Sequence, residues 1–176
     1  MKARKRCIAL LGLILLLQTT PVCSAEDDRW KDLRFLVGTW DAKTIGGSAG
    51  AQTEGTYTFQ LELGGNVLAR HSTNDAGCKG PASYDCDHRD LLYIYRDAPG
   101  QPLKAIYLDS EGHVIHYDVS TPEPETAMFV SEASRPGPQF RLKYKLAGKV
   151  MSGAFQMRMP QQSDWKSYLE WSGSKR

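Results

Sequence analysis

The stretch RFLVGTWDAK, Arg34 to Lys43, is where the chain changes character. Before it lie a basic-then-apolar leader and a short charged run. After it, apolar and polar residues alternate in short runs broken by Gly, Asn and Pro. A period of two is the mark of strands with one buried face. A Gly two residues ahead of a Trp, at the entry to the first strand, has a mechanical reading. Gly38 lets the chain turn sharply out of what precedes it. Trp40 then sets a large ring under one end of whatever the strands enclose.

Working upstream, EDDRWKDLRFL reads as a short N-terminal helix. Its acids, Glu26 to Asp28, lie at the start, where the helix dipole favours negative charge. Trp30, Leu33 and Leu36 (or Phe35) form an apolar stripe at helical spacing, and Gly38 ends the element. Residues 1–25 read as a cleaved signal peptide. Lys2, Arg4, Lys5 and Arg6 make the basic region, and Cys7 to Leu17 an apolar region too short to span a bilayer. Cys23 and Ala25 occupy the −3 and −1 places of a cleavage site. A lipidation site at Cys23 is the rival; it requires a small residue just before the Cys, where Val22 stands.

The full chain carries 22 basic and 20 acidic residues. Residues 1–25 hold four basic and no acidic ones, so the expected mature chain, 26–176, has 18 basic against 20 acidic. That near-neutrality makes no electrostatic case for nucleic acid or an anionic membrane. The length fits one domain with a real core. No later segment is apolar enough to cross a bilayer, so stable membrane insertion after signal cleavage is not expected. Two cysteines follow the leader, Cys78 and Cys86, and an export route with an even count predicts a disulfide. The rival is a metal site using the adjacent Asp87 and His88. C-x7-C-x-H is not a common zinc spacing, and no second Cys/His pair exists; the expected metal set is none.

Downstream, ten short strands are predicted: Thr39–Thr44, Glu54–Leu63, Val67–Thr73, Leu91–Arg96, Leu103–Asp109, Val114–Ser120, Ala127–Glu132, Gln139–Leu146, Val150–Met159 and Trp165–Ser172. Nearly every link is of hairpin length, which makes a meander, and a meander this long removes its edges by closing into a barrel. Register supports this. A two-residue turn at Gly148-Lys149 sets Leu146 opposite Met151, Tyr144 opposite Gly153, Leu142 opposite Phe155 and Phe140 opposite Met157. Arg141, Lys143, Lys145, Gln156 and Arg158 collect on the wet face. The last strand continues with Trp165, Leu169 and Trp171 inward and Lys166, Tyr168 and Glu170 outward. The fold class expected is all-β: a closed antiparallel barrel of about ten strands, plugged at one end by the N-terminal helix.

A short helix, then Gly38-Thr39-Trp40 entering strand one, then an antiparallel meander resembles the calycin group of lipocalins, fatty-acid-binding proteins and nitrobindin-like barrels. More specifically, the chain is similar to small exported bacterial calycin-like proteins of unknown function. The resemblance implies that Gly38 and Trp40 form the barrel floor, and that a basic residue late in the chain lies against the Trp; the last strand as read offers only Lys166. The fatty-acid-binding pattern would also place a basic residue and a Tyr inward on the last strands, a place that Tyr168 does not take in this register.

Arg70 is the candidate anchor. A two-residue turn at Gly64-Gly65 or Gly65-Asn66 puts Leu68, Arg70 and Ser72 on the face of Tyr57, Phe59 and Leu61. A charge on an apolar face needs a partner. Arg70 either holds a ligand head group or lies at the barrel mouth, reaching water or an internal Asp. The remaining expected ligand-binding residues are Tyr57, Phe59, Tyr117, Tyr144, Phe155, Met157 and Trp171, with Leu61, Ile106, Phe140, Leu142 and Leu169 beside them. With Glu111-Gly112 as a two-residue turn, Tyr107 faces His116 and Ala105 faces Asp118, while Ile106, Leu108, Ile115, Tyr117 and Val119 point inward. His116 and Asp118 then point outward; their other reading is a proton-transfer dyad or a haem ligand. His71 pairs with Thr58 outside, and His88 and His113 are expected on exposed loops. Hydrolase signatures and a phosphate loop are missing, which moves the expectation from enzyme to binding. The function expected is an exported, periplasmic or secreted protein holding a small apolar or amphipathic molecule, with no cofactor. The alternatives are a haem-binding barrel, or a structural or inhibitory domain with a filled core acting through its loops.

Overall fold

A computed structural model describes residues 29–74, 77–132 and 137–176. The signal-peptide reading and the acids Glu26 to Asp28 lie outside the described residues. The short N-terminal helix expected over EDDRWKDLRFL is, among the described residues, only a short 3-10 segment, Lys31–Leu36. So short an element suffices to bring Trp30, Leu33 and Leu36 to the barrel, and all three are buried.

Ten strands follow: β1 Gly38–Gly46, β2 Glu54–Glu62, β3 Val67–Asn74, β4 Arg89–Tyr95, β5 Lys104–Asp109, β6 Val114–Ser120, β7 Thr126–Ser131, β8 Gln139–Ala147, β9 Val150–Arg158 and β10 Lys166–Lys175. Each pairs antiparallel with its sequence neighbours, and β1 pairs with β10 from Trp40↔Lys175 to Gly46↔Glu170, closing the barrel. The β8–β9 hairpin has the register expected from its sequence, from Leu146↔Met151 to Phe140↔Met157. Gly148 takes the positive φ of +62° that its tight turn requires.

The floor is built as Gly38 and Trp40 suggest. Gly38 has φ +126°, and Trp40 is buried with its indole N–H donating to the Leu36 carbonyl at 2.8 Å. Trp30 donates likewise to Gly65 at 2.9 Å. These two bonds pin the 3-10 helix across the barrel end. The late cation against Trp40 is Lys175, with Nζ 5.6 Å from the ring centre, and not Lys166. The reason is length: β10 runs three residues past the expected Ser172.

Two register differences matter for the site. Asp109 accepts the backbone N–H groups of Glu111 and His113 at 3.0 and 2.9 Å. This enlarges the β5–β6 turn and pairs Tyr107 with Ile115, and Ile106 with His116. The faces expected for β6 hold, but β5 is reversed: Ala105 and Tyr107 point inward, and Ile106 leaves the interior. In β10, a bulge at Tyr168 lies between Ser167↔Gln156 and Leu169↔Phe155. The loop after β1 stabilises it, Ser48 and Ala49 donating to the Ser167 and Tyr168 carbonyls at 3.0 and 2.8 Å. Trp165, expected inward, instead lies outside between the Arg141 and Arg158 guanidiniums, 4.5 and 4.7 Å from its ring.

The interior divides along its axis. Near the floor, Trp40, Phe59, Leu68, Ile94, Phe129, Tyr144 and Met151 are fully buried and packed together. Leu61 lies at the rim of this end and is 45 % exposed, away from the open half. The opposite half is open.

Candidate functional site

The open half holds a cavity of about 530 Å3. One wall is apolar and comes from β8 to β10: Phe140, Leu142, Phe155, Met157, Leu169 and Trp171. Phe140 and Phe155 stack with ring centres 5.6 Å apart, a consequence of neighbouring positions on adjacent strands. The bulge adds Tyr168, which meets Phe155 edge-on. Space for the Trp171 indole exists because its cross-strand partner is Gly153.

The facing wall, from β2 to β6, is polar. Register places Tyr57, Arg70, Asp90, Tyr107 and Tyr117 on it. Arg70 is 5 % exposed. Its Nη1 donates to the Tyr144 hydroxyl and its Nη2 to the Asp90 carboxylate. Burial alone would lower the Arg70 pKa; Asp90 foremost, with Tyr144, raises it instead. Burial would likewise raise Asp90, but Arg70 and the hydrogen bonds from His88 and Ser72 hold it at about 2. The ion pair is therefore fully charged at neutral pH. Of the two readings of Arg70, the structure has the internal Asp in place.

The network continues outward. His88 Nδ1 lies 2.8 Å from Glu111, and Nε2 lies 3.0 Å from the Tyr107 hydroxyl and 3.6 Å from Asp90. The Asp90 carboxylate outweighs the opposing effect of burial and, with Glu111, raises His88 to about 9. His88 is thus half-buried and borders the cavity, in contrast to the exposed loop residue expected. Burial pushes the hydroxyls of Tyr57, Tyr107 and Tyr117 well above the usual phenol range, so all three carry their protons.

Four buried side-chain atoms among the described residues lack a hydrogen-bond partner: Tyr57 Oη, Arg70 Nε, Tyr117 Oη and Trp171 Nε1. All four residues border the cavity. Trp171 lies close enough to Tyr57 to favour its ionised form, yet the two atoms make no bond of ordinary geometry. Buried polar atoms are normally paired, so four unpartnered ones on residues that border one cavity set this region apart from the rest of the described interior.

Of the residues expected to bind a ligand, Tyr57, Arg70, Tyr117, Phe155, Met157 and Trp171 are brought together at the cavity. Phe59 and Tyr144 lie in the packed layer beneath it. His116 and Asp118 are exposed on the outer surface. Asp90 was missed because β4 begins two residues before its apolar run, and Tyr107 and Tyr168 because a turn and a bulge change phase. His88, Asp109 and Glu111 place one potential metal-ligand atom each within 4.8 Å of the others. These atoms already serve one another and His113, which lies 2.9 Å from Asp109. Cys78 and Cys86 are joined as a disulfide, Cα atoms 5.6 Å apart, and so are not metal ligands. A larger hollow of about 1040 Å3 lies against the outside of the floor, beside Lys31, Glu123 and Lys149; none of the unpartnered buried atoms borders it. Among the described residues, no helix is long and apolar enough to cross a membrane.

In comparison with known proteins, the chain matches no family model and no curated protein.

Proposed function

We propose that this chain is an exported, calycin-like binding protein that holds a small apolar or amphipathic molecule in the open half of its barrel. The observation that carries the reading is the cavity of about 530 Å3, within the roughly 300–1,000 Å3 of small-molecule sites and of their usual make-up, apolar with a few convergent polar groups. The closed antiparallel ten-strand barrel is compatible with a calycin-like fold, and the disulfide with a periplasmic or secreted location. The leader sequence supports export as well.

The test is titration of the oxidised chain 26–176 with N-phenyl-1-naphthylamine, a neutral dye that fluoresces in apolar surroundings. Saturable binding of one dye per chain is expected, and Met157→Trp, which fills the cavity mouth, should weaken it at least tenfold while leaving the circular dichroism unchanged. Absence of saturable binding, or binding indifferent to Met157→Trp, would overturn the proposal and favour a domain that works through its loops. Native mass spectrometry of protein from its own cell envelope would identify the ligand.

A further inference from the structure

The charged groups around the cavity are already matched to one another. Arg70 is bonded to Asp90, His88 lies 2.8 Å from Glu111, and His113 lies 2.9 Å from Asp109. Of the other charged residues that border the cavity, Lys43 is exposed and Asp85 half-buried at its outer lip. What is left over inside is not charge but hydrogen-bond donors. Arg70 Nε and Trp171 Nε1 can only donate, and the protonated Tyr57 and Tyr117 hydroxyls can donate. A carboxylate brought to Arg70 would meet Asp90 on the same guanidinium, and would lose its hydration without gaining an uncompensated cation. A carbonyl oxygen carries no charge for Asp90 to repel, and small shifts of the side chains that cover these donors would bring them to it.

Resting on the binding function proposed above, we infer that the cavity takes an uncharged molecule bearing a hydrogen-bond acceptor, such as a ketone, ester or amide carbonyl, and that Asp90 is the residue that rejects anions. Specificity here comes from a repulsive element as much as from an attractive one. Asp90 holds the Arg70 Nη2 that an acidic ligand would otherwise use, and its charge opposes an anion at the rest of the guanidinium.

Three molecules of similar shape test this by competition with N-phenyl-1-naphthylamine: diphenylmethane, benzophenone and diphenylacetate. Benzophenone should compete best, about tenfold better than diphenylmethane, as one buried hydrogen bond suggests; diphenylacetate should compete worst. Tyr117→Phe should reduce the affinity ratio of benzophenone to diphenylmethane at least threefold. Asp90→Asn frees the Arg70 charge and should improve diphenylacetate at least tenfold. Diphenylacetate competing as well as benzophenone against the native chain would overturn the inference while dye binding still stands. So would an Asp90→Asn chain that is folded and still rejects the acid. If Asp90→Asn does not fold, the ranking on the native chain decides. If the dye itself does not bind, both readings fall together.

Discussion

The Trp171 indole lies across Gly153 so closely that a β-carbon on the glycine would come within 2.0 Å of the ring. The two are cross-strand partners on β9 and β10, so the glycine is the space the ring occupies. The apolar wall of the cavity therefore depends on a residue with no side chain.

Gly153→Ala should push the indole into the cavity. Dye affinity should fall at least tenfold, and overpacking should cost about 1–3 kcal/mol in urea unfolding. An alanine chain that binds the dye as well as the native one would mean that the indole can move elsewhere.

The disulfide lies at the open end, and His88 follows Cys86 by two residues. Titration of the denatured, unreduced chain 26–176 should find no free thiol; two thiols would contradict the pairing. Replacing both cysteines with Ser should cost about 2–3 kcal/mol, as expected for so short a loop. Hydrogen exchange should quicken across 79–90 and stay slow in the β8–β9 hairpin.

The mouth network makes stability depend on pH. His88 is raised from 6.5 to about 9 in the fold, so the native state binds its proton more tightly. That contribution is fully present below pH 6.5 and is lost as pH rises through 9. Asp90 is lowered from 3.8 to about 2, so its contribution is present above pH 3.8 and is lost as pH falls through 2. Urea unfolding between pH 6.5 and 9 should show a loss of about 1–2 kcal/mol, a figure reduced for a ring that is partly wetted. His88→Gln should flatten that slope. An unchanged slope would detach His88 from the network.

Added haem should give no Soret band after desalting, because both nitrogens of His88 already have partners, Glu111 and Tyr107, and His116 is exposed on the outer surface. A stoichiometric band lost in His88→Ala would revive the haem-binding alternative.

At the floor, Trp40→Phe removes the bond to the Leu36 carbonyl and leaves that buried acceptor without its donor. The expected cost is about 2 kcal/mol, read by thermal or urea unfolding. A neutral effect would show that the helix is held by Trp30 alone.

Much of this architecture was determined by local pattern. Alternation marked ten strands, and Gly148-Lys149 set one hairpin to the residue, because side chains on a strand switch face at each step and a tight turn leaves no slack. Gly38 and Trp40 marked the floor through the conformation of one and the bulk of the other. The face of Arg70 could be read for the same reason: it lies opposite Phe59, and the four-residue turn, Leu63 to Asn66, keeps the parity of a two-residue one. What the tertiary structure alone decided lies where a backbone interaction alters the count. The Asp109 carboxylate enlarged one turn and reversed β5, and the Ser48 and Ala49 amides secured a bulge that brought Tyr168 to the cavity. The partner of Arg70 was equally beyond reach. Asp90 lies 20 residues away in a stretch that reads as loop, and only the β3–β4 pairing brings the two charges together. Whether the barrel is hollow depends on how side chains from every strand meet at its axis, and here they fill the floor half and leave the other open.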